Sequence, residues 1–158
     1  MSVFPTTILL ATDGSKDAEL AHTTAVDLAN STNSELHVVT VALGYPSYSI
    51  RTPEVLEQLR KQAEAVLDEQ AKKIRLAGGE VAQEHLRVTI RYQAQQIFQV
   101  AEDIGADLIV IGKWGLGRVR RALIGSVSDS VIRYAPCPVL VVHPRKEQAA
   151  HQFFWSLL

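Results

Sequence analysis

Two kinds of apolar pattern alternate along the chain. Residues Thr6 to Thr12 form a short, nearly continuous apolar run that ends at Asp13-Gly14-Ser15, which fits a strand buried on both faces. Leu36 to Val41 is a second strand, rich in β-branched residues. Asp107 to Gly112 is the most apolar run and belongs at the centre of a sheet, and Pro138 to Val142 is the last strand. The third strand has a different pattern. Leu86, Val88, Ile90 and Tyr92 alternate with Arg87, Thr89 and Arg91, as expected for a strand with one wet face near a sheet edge.

Helical spacing fills the intervals. Ala18, Ala21, Ala25, Val26, Leu28 and Ala29 mark a helix from about Asp17 to Asn30, with Ser15 or Asp17 as its cap. Thr52 followed by Pro53 reads as a cap with proline at the first helical position, opening a helix that runs to about Ala77 and stops at Gly78-Gly79. Ala94, Ile97, Phe98, Ala101 and Ile104 make a third helix closed by Gly105. Ser126 to Tyr134 makes a fourth, with Val127, Val131 and Ile132 inward.

Strict alternation of strand and helix predicts an α/β fold, an open five-stranded parallel sheet with helices on both faces. Right-handed crossovers and a return of strand 4 to the side of strand 1 give the order 3-2-1-4-5. The order reverses between strands 1 and 4, and ligands of open α/β sheets bind at the carboxyl ends of such a pair. Those ends are Asp13-Gly14-Ser15 and Gly112-Lys113-Trp114-Gly115.

Composition narrows the partners. At 158 residues, 47% hydrophobic, the chain has the size of one domain. Its formal charge of −1 argues against broad adhesion to nucleic acid or anionic membrane, so phosphate recognition has to be local. The single cysteine, Cys137, precludes an intrachain disulfide and fits a reducing compartment. The N-terminal residues lack a basic region, and no apolar run approaches a membrane span. A cytoplasmic protein is expected.

Local phosphate chemistry has one obvious seat. Residues 112–130, GKWGLGRVRRALIGSVSDS, hold four glycines and three arginines between the central strand and the fourth helix. Glycine lets a main chain approach phosphate oxygens, and N–H groups at a helix N-terminus favour an anion. The stretch contains no G-x-x-x-x-G-K-[ST] and no G-x-G-x-x-G; its spacing is G-x2-G-x9-G-S, at Gly112, Gly115, Gly125 and Ser126. Gly117 reads as a loop-shaping residue. Arg118, Arg120 and Arg121 are either a solvated face or phosphate contacts.

These stretches carry a resemblance. ILLATDGS (8–15), ADLIVIGKWGLG (106–117), GSVSDSVIRYAPCPVLVV (125–142) and the full glycine spacing resemble the universal stress protein family over roughly Thr6 to Val142. The resemblance implies a domain over 1–143 with a C-terminal tail over 144–158 and a Rossmann-like fold akin to the adenine nucleotide alpha hydrolases. It also implies a homodimer formed through the fifth strands and an adenine nucleotide, ATP or AMP, in the crevice, with Mg2+ as the accompanying ion of its phosphates. Carried over by position, Gly112 and Gly115 line the nucleotide, while Gly125 and Ser126 meet its phosphates, with Val127 following and Ser128 placing another hydroxyl near them. Asp13, next to Thr12, contacts the adenosine portion, and Val41 recognises adenine through its backbone.

The chain departs from the family pattern in places. Ala11 stands where proline is frequent before the aspartate, and Lys113-Trp114 replaces a small or polar pair. Arg91-Tyr92-Gln93-Ala94 stands where a G-x-P-A turn is common. The tail FFWSLL has no family counterpart and suits packing or an unidentified protein partner.

Bland readings accompany the sharp ones. Asp13 also fits a turn-and-cap role, and Cys137 a buried small residue. The histidines at 22, 37, 85, 143 and 151 lack metal-ligand spacing. Three functions remain compatible with these residues. They are a nucleotide-dependent stress-response regulator, a dimeric interaction scaffold without obligate nucleotide, and a slow ATP hydrolase. No positioned base and arginine finger for efficient phosphoryl transfer can be read from the sequence.

Overall fold

The computed structural model describes residues 5–44, 52–113 and 124–144. Five strands and four helices alternate among them: β1 (Thr7–Ala11), α1 (Lys16–Thr32), β2 (Glu35–Leu43), α2 (Pro53–Leu76), β3 (Gln83–Thr89), α3 (Gln93–Ile104), β4 (Leu108–Gly112), α4 (Ser126–Tyr134) and β5 (Val139–Val142). All pairings are parallel, in the order β3-β2-β1-β4-β5 expected from the alternation. No helix among the described residues is long and apolar enough to cross a membrane.

The continuous apolar runs follow from burial on both faces. Ile8, Leu10, Leu36, Val38 and Val110 pack under α1 and α2, against Ala21, Ala25, Leu67 and Ile74. The alternate residues Leu9, Ala11, Val39, Ile109 and Ile111 meet Ala94, Ile97, Val100 and Ala101 of α3 and Val131 of α4 on the other face. Each such side chain contributes roughly 1.5–3 kcal/mol by leaving water.

Local chemistry sets the ends. Ser15 Oγ accepts the Ala18 N–H at 3.2 Å, so Ser15 and not Asp17 caps α1. Thr52 Oγ1 accepts the Val55 N–H at 3.4 Å, with Pro53 opening α2. At the far end of α2, the Gly78 N–H bonds to the Arg75 carbonyl and the Gly79 N–H to the Ile74 carbonyl, a paired closure of the last turn.

Two expectations shift. β3 begins at Gln83 and stops at Thr89, so Ile90 and Tyr92 lie past its end, 44% and 62% exposed. Pairing, rather than side-chain alternation, sets these limits. β2 offers partners only from His37 to Leu43, and the Gly44 N–H to Thr89 carbonyl bond at 2.8 Å follows the last of them. In α4, Val131 is fully buried but Ile132, one helical step round, is 48% exposed. Cys137 is half-buried beside the α3–α4 core, and burial pushes its thiol pKa up.

The amino ends of β1 and β4 are clasped by Asp107. Its Oδ2 accepts the Thr6 hydroxyl (2.6 Å), the Thr6 N–H (2.9 Å) and the Thr7 N–H (3.1 Å). The Thr6 hydroxyl first, then the Thr6 N–H, hold the carboxyl below the usual aspartate range. Because the group faces solvent, Asp107→Ala should lower unfolding free energy by about 1 kcal/mol or less. A urea titration at neutral pH checks this, and the deficit should vanish below the lowered carboxyl pKa, where the wild-type group is protonated too.

Candidate functional site

β1 and β4 are neighbours, yet the helices that follow them lie on opposite faces of the sheet. Their carboxyl ends therefore border an open crevice, with a volume of about 510 Å³. Thr12, Asp13, Val41, Gly112, Gly125, Ser126, Val127 and Ser128 all line it. Gly115, Gly117, the arginines at 118, 120 and 121, and the C-terminal aromatics lie outside the described residues.

The end of β1 is tightly organised. Thr12 continues the sheet by giving its N–H to the Val39 carbonyl at 3.0 Å, and its own carbonyl takes the Thr40 hydroxyl at 3.1 Å. Thr12 Oγ1 donates to Gln70 Oε1 at 3.3 Å, and so must accept from His22 Nε2 at 3.0 Å. His22 is thereby a neutral imidazole protonated on Nε2. Burial between α1 and α2 lowers its pKa to about 4, against a smaller opposing pull from Glu19. Asp13 Oδ1 accepts the Ser15 N–H at 3.0 Å, which closes the turn into the α1 cap. Asp13 thus combines the turn geometry with a place on the crevice wall.

Gly112 answers a steric demand. A Cβ there would lie 2.9 Å from the carbonyl carbon and oxygen of Asp17 and 3.1 Å from the Ala18 nitrogen. The first turn of α1 rests directly on β4. On the other side, Ser128, 3% exposed, donates its hydroxyl to the Gly112 carbonyl at 2.7 Å. The Gly125 N–H bonds to the Lys113 carbonyl at 2.9 Å, so the chain on the two sides of 114–123 meets at the crevice edge. Gly125 is the N-cap of α4 and supplies no side-chain cap, in contrast to Ser15 and Thr52. The first N–H groups of α4 therefore face the crevice without a side-chain acceptor from the cap.

The opposite end is backbone. Val39 turns its carbonyl to β1, so two residues on Val41 points its N–H and C=O the same way, beyond the last residue of β1. Gln93 Nε2, from the first residue of α3, donates to the Val41 carbonyl at 3.1 Å.

Sequence reading missed several of the walls. Leu59, Ala63 and Val66 of α2 line the crevice with Ile97, Thr40 and Gln93. The α2 residues keep the apolar helical spacing of a core-facing stripe; only tertiary placement tells that the turns from Leu59 to Val66 cover a cleft. For Gln93 a signal existed, its departure from the turn pattern after strand 3. Asp13 is the one ionisable side chain among the described lining residues. No group of three His, Cys, Asp or Glu among the described residues could hold a metal. His37 and His85, brought together by β2–β3 pairing, hydrogen-bond at 3.1 Å away from the crevice, and burial first, then His37, lowers the His85 pKa.

With this geometry in hand, comparison with known proteins gives a consistent picture. The Universal stress protein family model matches residues 5–143. A universal stress protein relative from Staphylococcus aureus strain USA300 is 35% identical over 149 residues, covering 92% of this chain and 88% of that one. A universal stress protein solved in complex with cAMP superposes with a TM-score of 0.66 at 26% identity, over 89% of this chain and 98% of that chain. The universal stress protein from Archaeoglobus fulgidus in complex with dAMP gives 0.62 at 25% identity, over 90% and 100%.

The buried His22 makes stability depend on pH. Its folded pKa, about 4, lies below the unfolded value of 6.5, so the unfolded chain binds more protons in between. The resulting penalty is absent above pH 6.5 and grows as pH falls towards 4. Relative to a His22→Gln variant, which keeps a donor for Thr12, wild type should lose about 2 kcal/mol between pH 7 and pH 4.5. Parallel urea titrations of the two proteins read this difference; curves that stay parallel would place His22 in contact with water.

Proposed function

The chain belongs to the universal stress protein family, and on that premise we propose that it binds an adenine nucleotide, ATP or AMP, in the crevice between β1 and β4 and acts in the cytoplasm as a nucleotide-dependent stress-response regulator. The observation that carries this reading is the chemistry of the two ends of one cleft. At one end α4 starts at a glycine cap with no side chain turned back on its N–H groups. At the other, β2 extends past β1 and offers the backbone of Val41. An anion suits the first and a base edge the second. The complexes of two family members with cAMP and dAMP support the same ligand class.

In this reading Ser126 and the N–H groups of Ser126 and Val127 meet the phosphates, Gly112 and Gly115 line the nucleotide, and Thr12 and Asp13 flank the adenosine portion. Asp13, an acceptor-only carboxylate, suits ribose hydroxyls. Ser128 secures α4 through Gly112 rather than donating to phosphate. Mg2+ would enter with a triphosphate, held by its oxygens. Titration calorimetry with ATP and with AMP tests the proposal, and absence of heat at high micromolar nucleotide would overturn it. Ser126→Ala should weaken ATP binding about three- to tenfold through loss of one phosphate donor, with the melting temperature unchanged.

Assembly as a homodimer through β5 is part of the same proposal. Leu140 on this edge strand is 37% exposed, with Ile132 and Tyr134 of α4 48% and 72% exposed. An apolar strand edge without a partner strand among the described residues favours a second copy. Light scattering should give twice the 17.4 kDa chain mass at micromolar concentration, and Leu140→Glu should shift it towards monomer. A wild-type protein that stays monomeric would contradict the interface.

A further inference from the structure

Gln93 departs from the family turn pattern at a position where its side chain reaches the crevice. It opens α3, is half-buried, and spans 52 residues of sequence to donate from Nε2 to the Val41 carbonyl at 3.1 Å. A carbonyl oxygen can only accept, so this contact fixes which way the planar carboxamide is turned. Nε2 faces Val41, and Oε1 is the other branch of the fork. No described residue donates a hydrogen bond to Oε1. Gln93 and Val41 both line the crevice, and two acceptors on these neighbouring groups keep lone pairs without a donor among the described residues: Oε1 of Gln93 and the Val41 carbonyl, which takes one hydrogen bond from Nε2.

Resting on the nucleotide reading above, we propose that Gln93 is a specificity-determining residue that selects 6-amino over 6-oxo purines. The 6-amino group of adenine carries two hydrogens and can satisfy two acceptors. The 6-oxo group of hypoxanthine or guanine would bring a third lone-pair oxygen against them. Gln93 cannot answer by flipping its amide, because Oε1 would then face the Val41 carbonyl. Against a 6-oxo oxygen, Oε1 and the second Val41 lone pair would both be left without a donor, a cost that the two hydrogens of a 6-amino group remove. Proline, common in the family at this turn, has no side-chain group that could do this.

The test compares ATP with inosine triphosphate by titration calorimetry on the full chain, in wild type, Gln93→Pro and Gln93→Leu. Proline is tolerated at the first position of a helix, and the extended Tyr92 (φ −113°, ψ 93°) suits a following proline, so Gln93→Pro should fold. Thermal melts identify folded variants. The expected result is ATP binding in both variants with the ATP-to-ITP affinity ratio reduced about tenfold. An unchanged ratio in a folded variant that still binds ATP would overturn the role of Gln93 alone. A wild-type protein that binds neither nucleotide would overturn the nucleotide reading, and this inference with it.

Discussion

The backbone of α1 lies on the backbone of β4 at Gly112, and the crevice depends on that contact. With Asp17 atoms 2.9 Å from where a Cβ would stand, any side chain at 112 would push the first turn of α1 off the strand. The Asp13-Gly14-Ser15 turn, which the same helix start holds, would move with it. On the opposite face the Gly112 carbonyl receives Ser128 from α4. One residue thus joins the two helices that leave adjacent strands for opposite faces, and the cleft is the space between their starts. Interiors are close-packed, so a displacement of even one methyl group at this junction is felt on both sides.

Electrostatics then divides the cleft. The chain as a whole is nearly neutral, and the ionisable side chain among the described lining residues is the acidic Asp13. Among the described residues, attraction of an anion comes from backbone dipoles at the start of α4, where each hydrogen bond to a charged acceptor contributes about 1.5–3 kcal/mol. Such donors act only at contact distance. They therefore select where an anion sits without drawing polyanions from afar, which agrees with the absence of a net basic charge.

Element order was legible because buried parallel strands and amphipathic helices differ in period and length, and the alternation left few topologies. β3 was legible only as an element. The alternation of Leu86, Val88, Ile90 and Tyr92 describes side-chain polarity, whereas the strand ends where β2 ceases to offer partners. Ile132 failed for a related reason: among the described residues, a helix at the β5 end of the sheet has little protein to bury against, so helical spacing overstates its inward face. At the site, eight of the nine residues named from sequence border one crevice because they lie at strand ends and helix starts, which topology alone brings together. Thr40, the α2 wall and the His37–His85 pair depend on register and packing, which no local pattern encodes.

Burial also sorts the hydroxyl groups of the site. Thr12, Thr40 and Ser128 are 5%, 4% and 3% exposed, and each gives its proton to the protein: to Gln70, to the Thr12 carbonyl and to the Gly112 carbonyl. A buried hydroxyl left unpaired would cost about 1–3 kcal/mol, so these three are committed to holding the frame. Ser126, exposed at the first turn of α4, is not bound by that constraint. In the nucleotide reading proposed above, the donors among the described residues are therefore Ser126 and main-chain N–H groups, the latter common to any sequence of this fold. Main chain cannot be varied residue by residue. Chain-specific choice among ligands must enter through side chains at the crevice that retain hydrogen-bonding capacity, and Gln93, bound to the Val41 carbonyl, is one of them.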